Sequence, residues 1–322
     1  MQDFFAAANK WVGKRFFAFV VSALISGIVL GPFQIQHLGE IVIGLFAYST
    51  FVTALESSLG QFVKILRRPW IPIWILILIH VITPFIAWIV GLTFYPGDPY
   101  TRLGYLISAS IPIGVTSILW TSMSSGNVPL SLVAVTLDTL IVPVILPVFI
   151  KLVAGQTVQL DYAKMAHELV WMITLPSIAG MLINDATKGR ILDYSKNIGG
   201  LTSKLCFLIV IFLNASVIAP EIHFNLQILK ATLTTGFMVI TGYFIGYAGS
   251  RLIKECPRET SLTMVYNVGL RNISFGMVLA LTYFPPAVAI PITLFMLYQQ
   301  PIAAIIPQVF AWADRRNVQE DR

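Results

Sequence analysis

Apolar runs long enough to cross a lipid bilayer follow one another along this chain, joined by short polar segments. A hydrocarbon core about 30 Å thick takes about 20 helical residues to cross. Only helices or closed barrels satisfy their backbone groups there. The runs at 16–31, 38–57, 70–93, 102–123, 128–153, 165–184, 203–219, 228–251, 260–284 and 286–312 predict an all-α polytopic membrane protein with ten transmembrane helices. Composition agrees: 57% of residues are hydrophobic and 11% charged, with a mean hydropathy of +0.80. A water-soluble domain could not cover that much apolar surface.

The charges set orientation. The net charge is +6, but the Lys and Arg residues lie between apolar runs, not on one face, which argues against nucleic acid as a partner. With the N-terminus in the cytoplasm, Lys10, Lys14, Arg15, Lys64, Arg67, Arg68, Lys188, Arg190, Lys196, Lys204, Arg251, Lys254, Arg258, Arg315, Arg316 and Arg322 fall inside. Only Arg102, Lys151, Lys164 and Lys230 fall outside. That bias predicts a multi-pass protein of the cell membrane, both termini cytoplasmic. The basic N-terminus runs into the first apolar segment without a convincing cleavage site, which predicts a retained helix. Two inside connections, 57–70 (with Phe62, Ile65 and Leu66 near one face) and 191–204, read as interfacial helices or as plain basic loops. Cys206 lies in an apolar run and Cys256 in a basic loop, so neither a disulfide nor a metal framework is expected.

The run at 260–284 is unlike an ordinary span. Its middle reads Tyr266-Asn267-Val268-Gly269-Leu270-Arg271-Asn272-Ile273-Ser274. An arginine at mid-membrane costs about 2.5–3.5 kcal/mol on insertion scales, so Arg271 must face a cavity, water or a counter-charge. Gly269 and its polar neighbours allow the helix to unwind, which is tolerated at depth only where backbone lines a cavity or is buried in protein. The run at 102–123 carries Pro112, Gly114, Thr116 and Ser117 near its centre, and is predicted to break as well. Shifting the chain by about 158 positions lays one interrupted run on the other and leaves five runs in each half. An odd number per half makes the halves inverted repeats, and matched breaks point to a binding site near the membrane midplane.

These two stretches resemble the bile acid:sodium symporter family. The resemblance rests on IPIGVTSILWTSMSSGNVPLSLVAVTLDTLIVPVILP (111–147), VGLRNISFGM (268–277) and LRRPW (66–70). It implies a core domain from spans 70–153 and 228–312, whose fourth and ninth helices cross at their breaks. It also implies a panel domain, from spans 16–57 and 165–219, that moves against the core. It further implies sodium symport of an organic anion, with no cofactor beyond sodium itself. Ser117 and Ser131 match sodium-ligand positions, and Asn272 matches the asparagine beside them. Ile118 stands where the family has Asn, Val135 where it has Thr, Asn267 where it has Glu, and Arg271 where it has Gln. Sodium favours several hard oxygens, and this set has lost oxygens and gained a cation.

Asp138 is the acid deepest within any run. It shares a helix face with Ser131 and Val135, at i, i+4 and i+7. We expect it to balance Arg271, directly or through water. Arg271, Thr116, Asn267 and Asn214 are expected to meet the substrate, an organic anion of bile-acid or small-carboxylate type. Proton coupling through Asp138, or uncoupled carriage, is the alternative, as is a non-transporting receptor or enzyme on the same scaffold. His80 reads more readily as a histidine bonded to a nearby carbonyl than as a proton relay. Asn214 fits a cavity contact or a helix bridge equally, and Gly242-x-x-x-Gly246 reads as close helix packing. No HExxH, Gly-x-Ser-x-Gly, Walker or Cys/His pattern is present, so an enzyme is not expected.

Overall fold

The computed structural model describes residues 2–31, 37–60, 70–154, 160–221 and 225–320. In chain order the helices are α1 (Gln2–Lys14), α2 (Phe16–Leu30), α3 (Leu38–Ala54), α4 (Trp70–Phe94), α5 (Pro99–Ser110), α6 (Thr116–Met123) and α7 (Val128–Ala154). They continue with α8 (Tyr162–Ala186), α9 (Leu192–Ile218), α10 (Leu226–Arg251), α11 (Arg258–Gly269), α12 (Ile273–Tyr283) and α13 (Ala289–Glu320). Several start on a side-chain cap. Asp98, Asp161 and Asn225 accept from the amides of Thr101, Lys164 and Ile228, and Asn127 accepts from Leu130. Each cap satisfies an amide that the first helical turn leaves unpaired.

Among the described residues, six helices are long and apolar enough to cross a membrane, or seven if the bent pair at the N-terminus is one span. The remaining expected spans are shorter or interrupted: α3 and α12 are short apolar helices, and the 102–123 and 260–284 runs are each split in two. The 191–204 segment is not a separate interfacial helix. Leu192 opens a helix that continues to Ile218, and Asn9 of α1 is bonded to Lys196 and Lys204 along it. The expected interfacial helix at 57–70 falls on 61–69, outside the described residues.

Two sets of close helix contacts stand out, while α8 also packs on α7. α9 lies against α2 and α3, and α8 against α3. Backbone contact is close there: a Cβ on Gly27 or Gly31 would stand 2.4 Å and 2.6 Å from backbone atoms of α9. In the other group α10 runs along α11 and α13, and α4 along α5. Gly246 lets α10 touch the backbone of α11, since a Cβ there would stand 2.7 Å from the Met264 carbonyl oxygen. Small residues play this part in membranes, where lipid removes the hydrophobic drive between helices. α12 touches both groups, packing on α3 and α9 as well as α13.

Candidate ion and substrate site

The site is built from what two interrupted helices do with their freed backbone groups. α5 stops at Ser110 and α6 starts at Thr116, with Pro112 and Gly114 in the gap. α11 stops at Gly269 and α12 starts at Ile273. The gaps cross and pair as a two-residue antiparallel bridge, Ile113 opposite Arg271. The Gly114 amide donates to the Leu270 carbonyl at 2.9 Å, and the Asn272 amide to the Pro112 carbonyl at 2.8 Å. Each break thus repairs the other, which lets non-helical backbone sit buried in protein. Gly114 is required by this approach, because a Cβ would stand 2.9 Å from the Arg271 carbonyl oxygen. Asn272 caps α12 by accepting from Phe275 at 3.2 Å.

Beside the crossing lies a buried oxygen-bearing cluster. Ser117 of α6, Ser131 of α7 and Asn267 of α11 have no exposed surface. Ser131 donates its hydroxyl to Asn267 Oδ1 at 2.8 Å. The Ser117 and Thr121 hydroxyls, one turn apart on α6, have no hydrogen-bond partner, nor does Asn267 Nδ2. Unpartnered buried polar groups are rare and call for an explanation. Turning the Asn267 amide would let Nδ2 donate to the Ser131 hydroxyl oxygen and free the carbonyl oxygen. These neutral oxygens suit a small hard cation, though no carboxylate is among them.

Asp138 is engaged elsewhere. Its Oδ2 accepts the Ile113 amide at 2.6 Å, and its Oδ1 meets His80 Nε2 at 2.6 Å. Arg271, 5% exposed, sends Nη2 to the Thr83 hydroxyl at 3.1 Å, while its amide donates to Gln299 Oε1 at 2.5 Å. The direct Asp138–Arg271 ion pair is therefore not formed. The face of α7 that carries Asp138 points at the first break, whereas the Arg271 side chain continues past the bridge to α4. Nη1 of Arg271 has no hydrogen-bond partner.

A cavity of about 900 Å³ opens alongside the crossing. Phe46, Thr50 and Thr53 of α3, Ser177 of α8 and Phe207 of α9 form one wall. Ile118, Leu119 and Ser122 of α6, Val135, Thr136 and Thr139 of α7, and Asn272 with Phe275 of α12 form the other. Glu56, Ser57 and Lys196 also line it. Three rings pack within it, with Phe46 5.9 Å from Phe275 and 6.0 Å from Phe207. The N-termini of α6 and α12 meet near Pro112 and Asn272, so two half-helix dipoles offer partial positive charge there. Ile118 and Val135 face this space.

Of the residues expected to meet substrate, Arg271, Thr116, Asn267 and Asn214 do not line this cavity. Thr116 accepts from Gln300 Nε2 at 3.3 Å, and Asn214 is buried in α9 with Nδ2 unpartnered. Thr83, Thr121 and Gln299 meet the crossing or its oxygen cluster without having been singled out by sequence, and His80, expected to bond a nearby carbonyl, meets the Asp138 carboxylate instead. The signal for two of them was present: His80 and Thr83 are polar residues three apart within an apolar run.

Comparison with known proteins shows the family of this chain. The sequence profile of the Sodium Bile acid symporter family matches residues 40–222. The uncharacterized protein YbaS of Bacillus subtilis (strain 168) is 34% identical over 284 residues, spanning 87% of this chain and 92% of that protein. The chain belongs to the sodium bile acid symporter family, a family of transporters and not of enzymes. Another B. subtilis relative, named an uncharacterized sodium-dependent transporter, YocS, is 24% identical over 302 residues, 92% of this chain and 90% of its own. The rice protein named probable sodium/metabolite cotransporter BASS2, chloroplastic (Oryza sativa subsp. japonica), is 26% identical over 243 residues, 74% of this chain and 56% of its own.

Proposed function

We propose that this chain couples sodium to the movement of an organic anion by alternating access about the crossed breaks. The observation that carries this reading is the pair of unpartnered buried hydroxyls at Ser117 and Thr121, with the buried Ser131–Asn267 hydrogen bond, one layer behind a cavity large enough for an organic ion. The ten spans form two inverted five-helix repeats, and the group with α2, α3, α8 and α9 moves against the core. With both termini cytoplasmic, the end bearing Glu56 and Lys196 faces inward. The opposite end is then shut by the hydrogen bond from the Tyr283 hydroxyl to Glu168, between α12 and α8. The apolar wall with two helix N-termini suits an apolar body carrying a carboxylate or sulfonate.

Purified protein in proteoliposomes tests this reading. A sodium jump should drive uptake of an organic anion above its equilibrium level, and no uptake of any organic anion under any ion gradient would end it. Sodium affinity should also respond to one charge. Asn267→Asp adds an anionic oxygen opposite Ser131, so the sodium half-saturation in a thermal-shift titration against choline should fall by about tenfold or more. An unchanged half-saturation would place sodium elsewhere.

A further inference from the structure

The crossing is held by a ring of side chains that neither the oxygen cluster nor the cavity uses. His80 Nε2 and Asp138 Oδ1 lie 2.6 Å apart, with 6% and 0% of their side-chain surfaces exposed. Asp138 Oδ2 grips the Ile113 amide at 2.6 Å, Ile113 is bridged to Arg271, and Arg271 Nη2 returns to Thr83. Thr83 is three residues beyond His80, and its hydroxyl donates to the Leu78 carbonyl at 2.6 Å across the π-helical turn Leu78–Ile82. Wide turns of this kind occur frequently at functional sites. The ring closes on itself, so a change at His80 reaches both breaks.

A contact this short holds one hydrogen between the two atoms. With the Asp138 carboxylate ionised, that hydrogen is on His80 Nε2 and Nδ1 is the free base. A second proton converts the pair to imidazolium and carboxylate. Together with Arg271, the local charge then changes from zero to plus one. We propose that the His80–Asp138 pair is a proton-binding site built into the crossing, and that a proton there and a cation among Ser117, Ser131 and Asn267 oppose one another. The second half rests on the sodium reading above; the first does not.

Among the described residues, the charged group meeting the pair from the packed elements is Arg271. Tyr243 of α10 donates to the Gln299 carbonyl, and Tyr266 of α11 contacts the Ser124 hydroxyl. Lys230 and Arg251 stand at the two ends of α10, bonded to Phe94 and Tyr247. Asp138 and Ser131 are seven residues apart on α7, about 10 Å of helix rise. One unit charge at that separation in a partly screened interior changes cation affinity on the order of tenfold.

The test uses the full chain with His80 as its sole histidine, made by His37→Gln, His167→Gln and His223→Gln, and labelled with ¹⁵N-histidine. Lowering the pH should carry the ring resonances through one proton-binding transition. Across the same transition the sodium half-saturation should fall on the order of tenfold towards alkaline pH. His80→Gln should keep a sodium response and lose its pH dependence. Ring resonances that stay constant overturn the proton site, and a titrating ring with a pH-independent sodium response overturns the opposition. Absence of uptake under every gradient, with the ring still titrating, would instead refute the transporter reading alone.

Discussion

Asp138→Leu is expected to lose about 3–5 kcal/mol of stability, enough to remove most folded protein. The carboxylate accepts both the Ile113 amide and the His80 ring in a fully buried place. Leucine would leave an amide in the break without its acceptor and Arg271 without a nearby anion. Asp138→Asn keeps an oxygen for Ile113 but turns an NH2 group to His80, which must present an unprotonated Nε2 to accept it, so it should retain folded protein at a lowered thermal midpoint. The double reversal Asp138→Arg/Arg271→Asp should not rescue either single change, because the two residues do not touch and the Ile113 amide would face a guanidinium. Size-exclusion profiles and thermal midpoints in detergent check all three. An Asp138→Leu protein as stable as the parent would mean that the ring at the crossing carries little of the fold.

The second large effect is expected at Gly246. A Cβ there would stand 2.7 Å from both the Met264 carbonyl oxygen and the Val265 Cα, atoms of a backbone that cannot swing aside. Gly246→Val should therefore push α11 off α10 and displace the second break, costing about 1–3 kcal/mol or more. Gly269 is nearly as confined, since its Cβ would stand 2.2 Å from the Tyr243 ring, and that tyrosine is tied to Gln299. Gly44 supplies the control: a Cβ meets nothing within 4 Å, so Gly44→Ala should leave stability unchanged or raise it. Equal thermal midpoints for Gly246→Val and Gly44→Ala would contradict the close approach of α10 and α11.

Much of this was legible from residue order alone. Gly269 with Asn267, Arg271, Asn272 and Ser274, all within 267–274, has no place in a continuous lipid-facing helix, so the position of that break follows from cost. The partner of Asp138 was not legible. Helical spacing shows which residues share a face on one helix, but the rotation of that helix against its neighbours is set by packing of the whole bundle. Asp138 and Arg271, as opposite charges, were the obvious pair. Packing instead turned Asp138 towards His80 and the Ile113 amide, and Arg271 towards Thr83. Likewise the 191–204 segment is basic and amphipathic, as an interfacial helix would be, yet it continues directly into α9, because nothing at Lys204 stops a helix. The cavity wall escaped notice for a different reason. Phe46, Phe207 and Phe275 lie on three helices far apart in sequence, and each alone reads as an ordinary apolar residue.

The measurement that bears most directly on the central claim is a structure determined with thallium in place of sodium, read by its anomalous scattering. The account predicts two interrupted helices crossing at Ile113 and Arg271, with a peak bounded by the side-chain oxygens of Ser117, Ser131 and Asn267. Unbroken helices at those positions, or sodium-driven uptake in a protein whose bound thallium lies away from those residues, would contradict it.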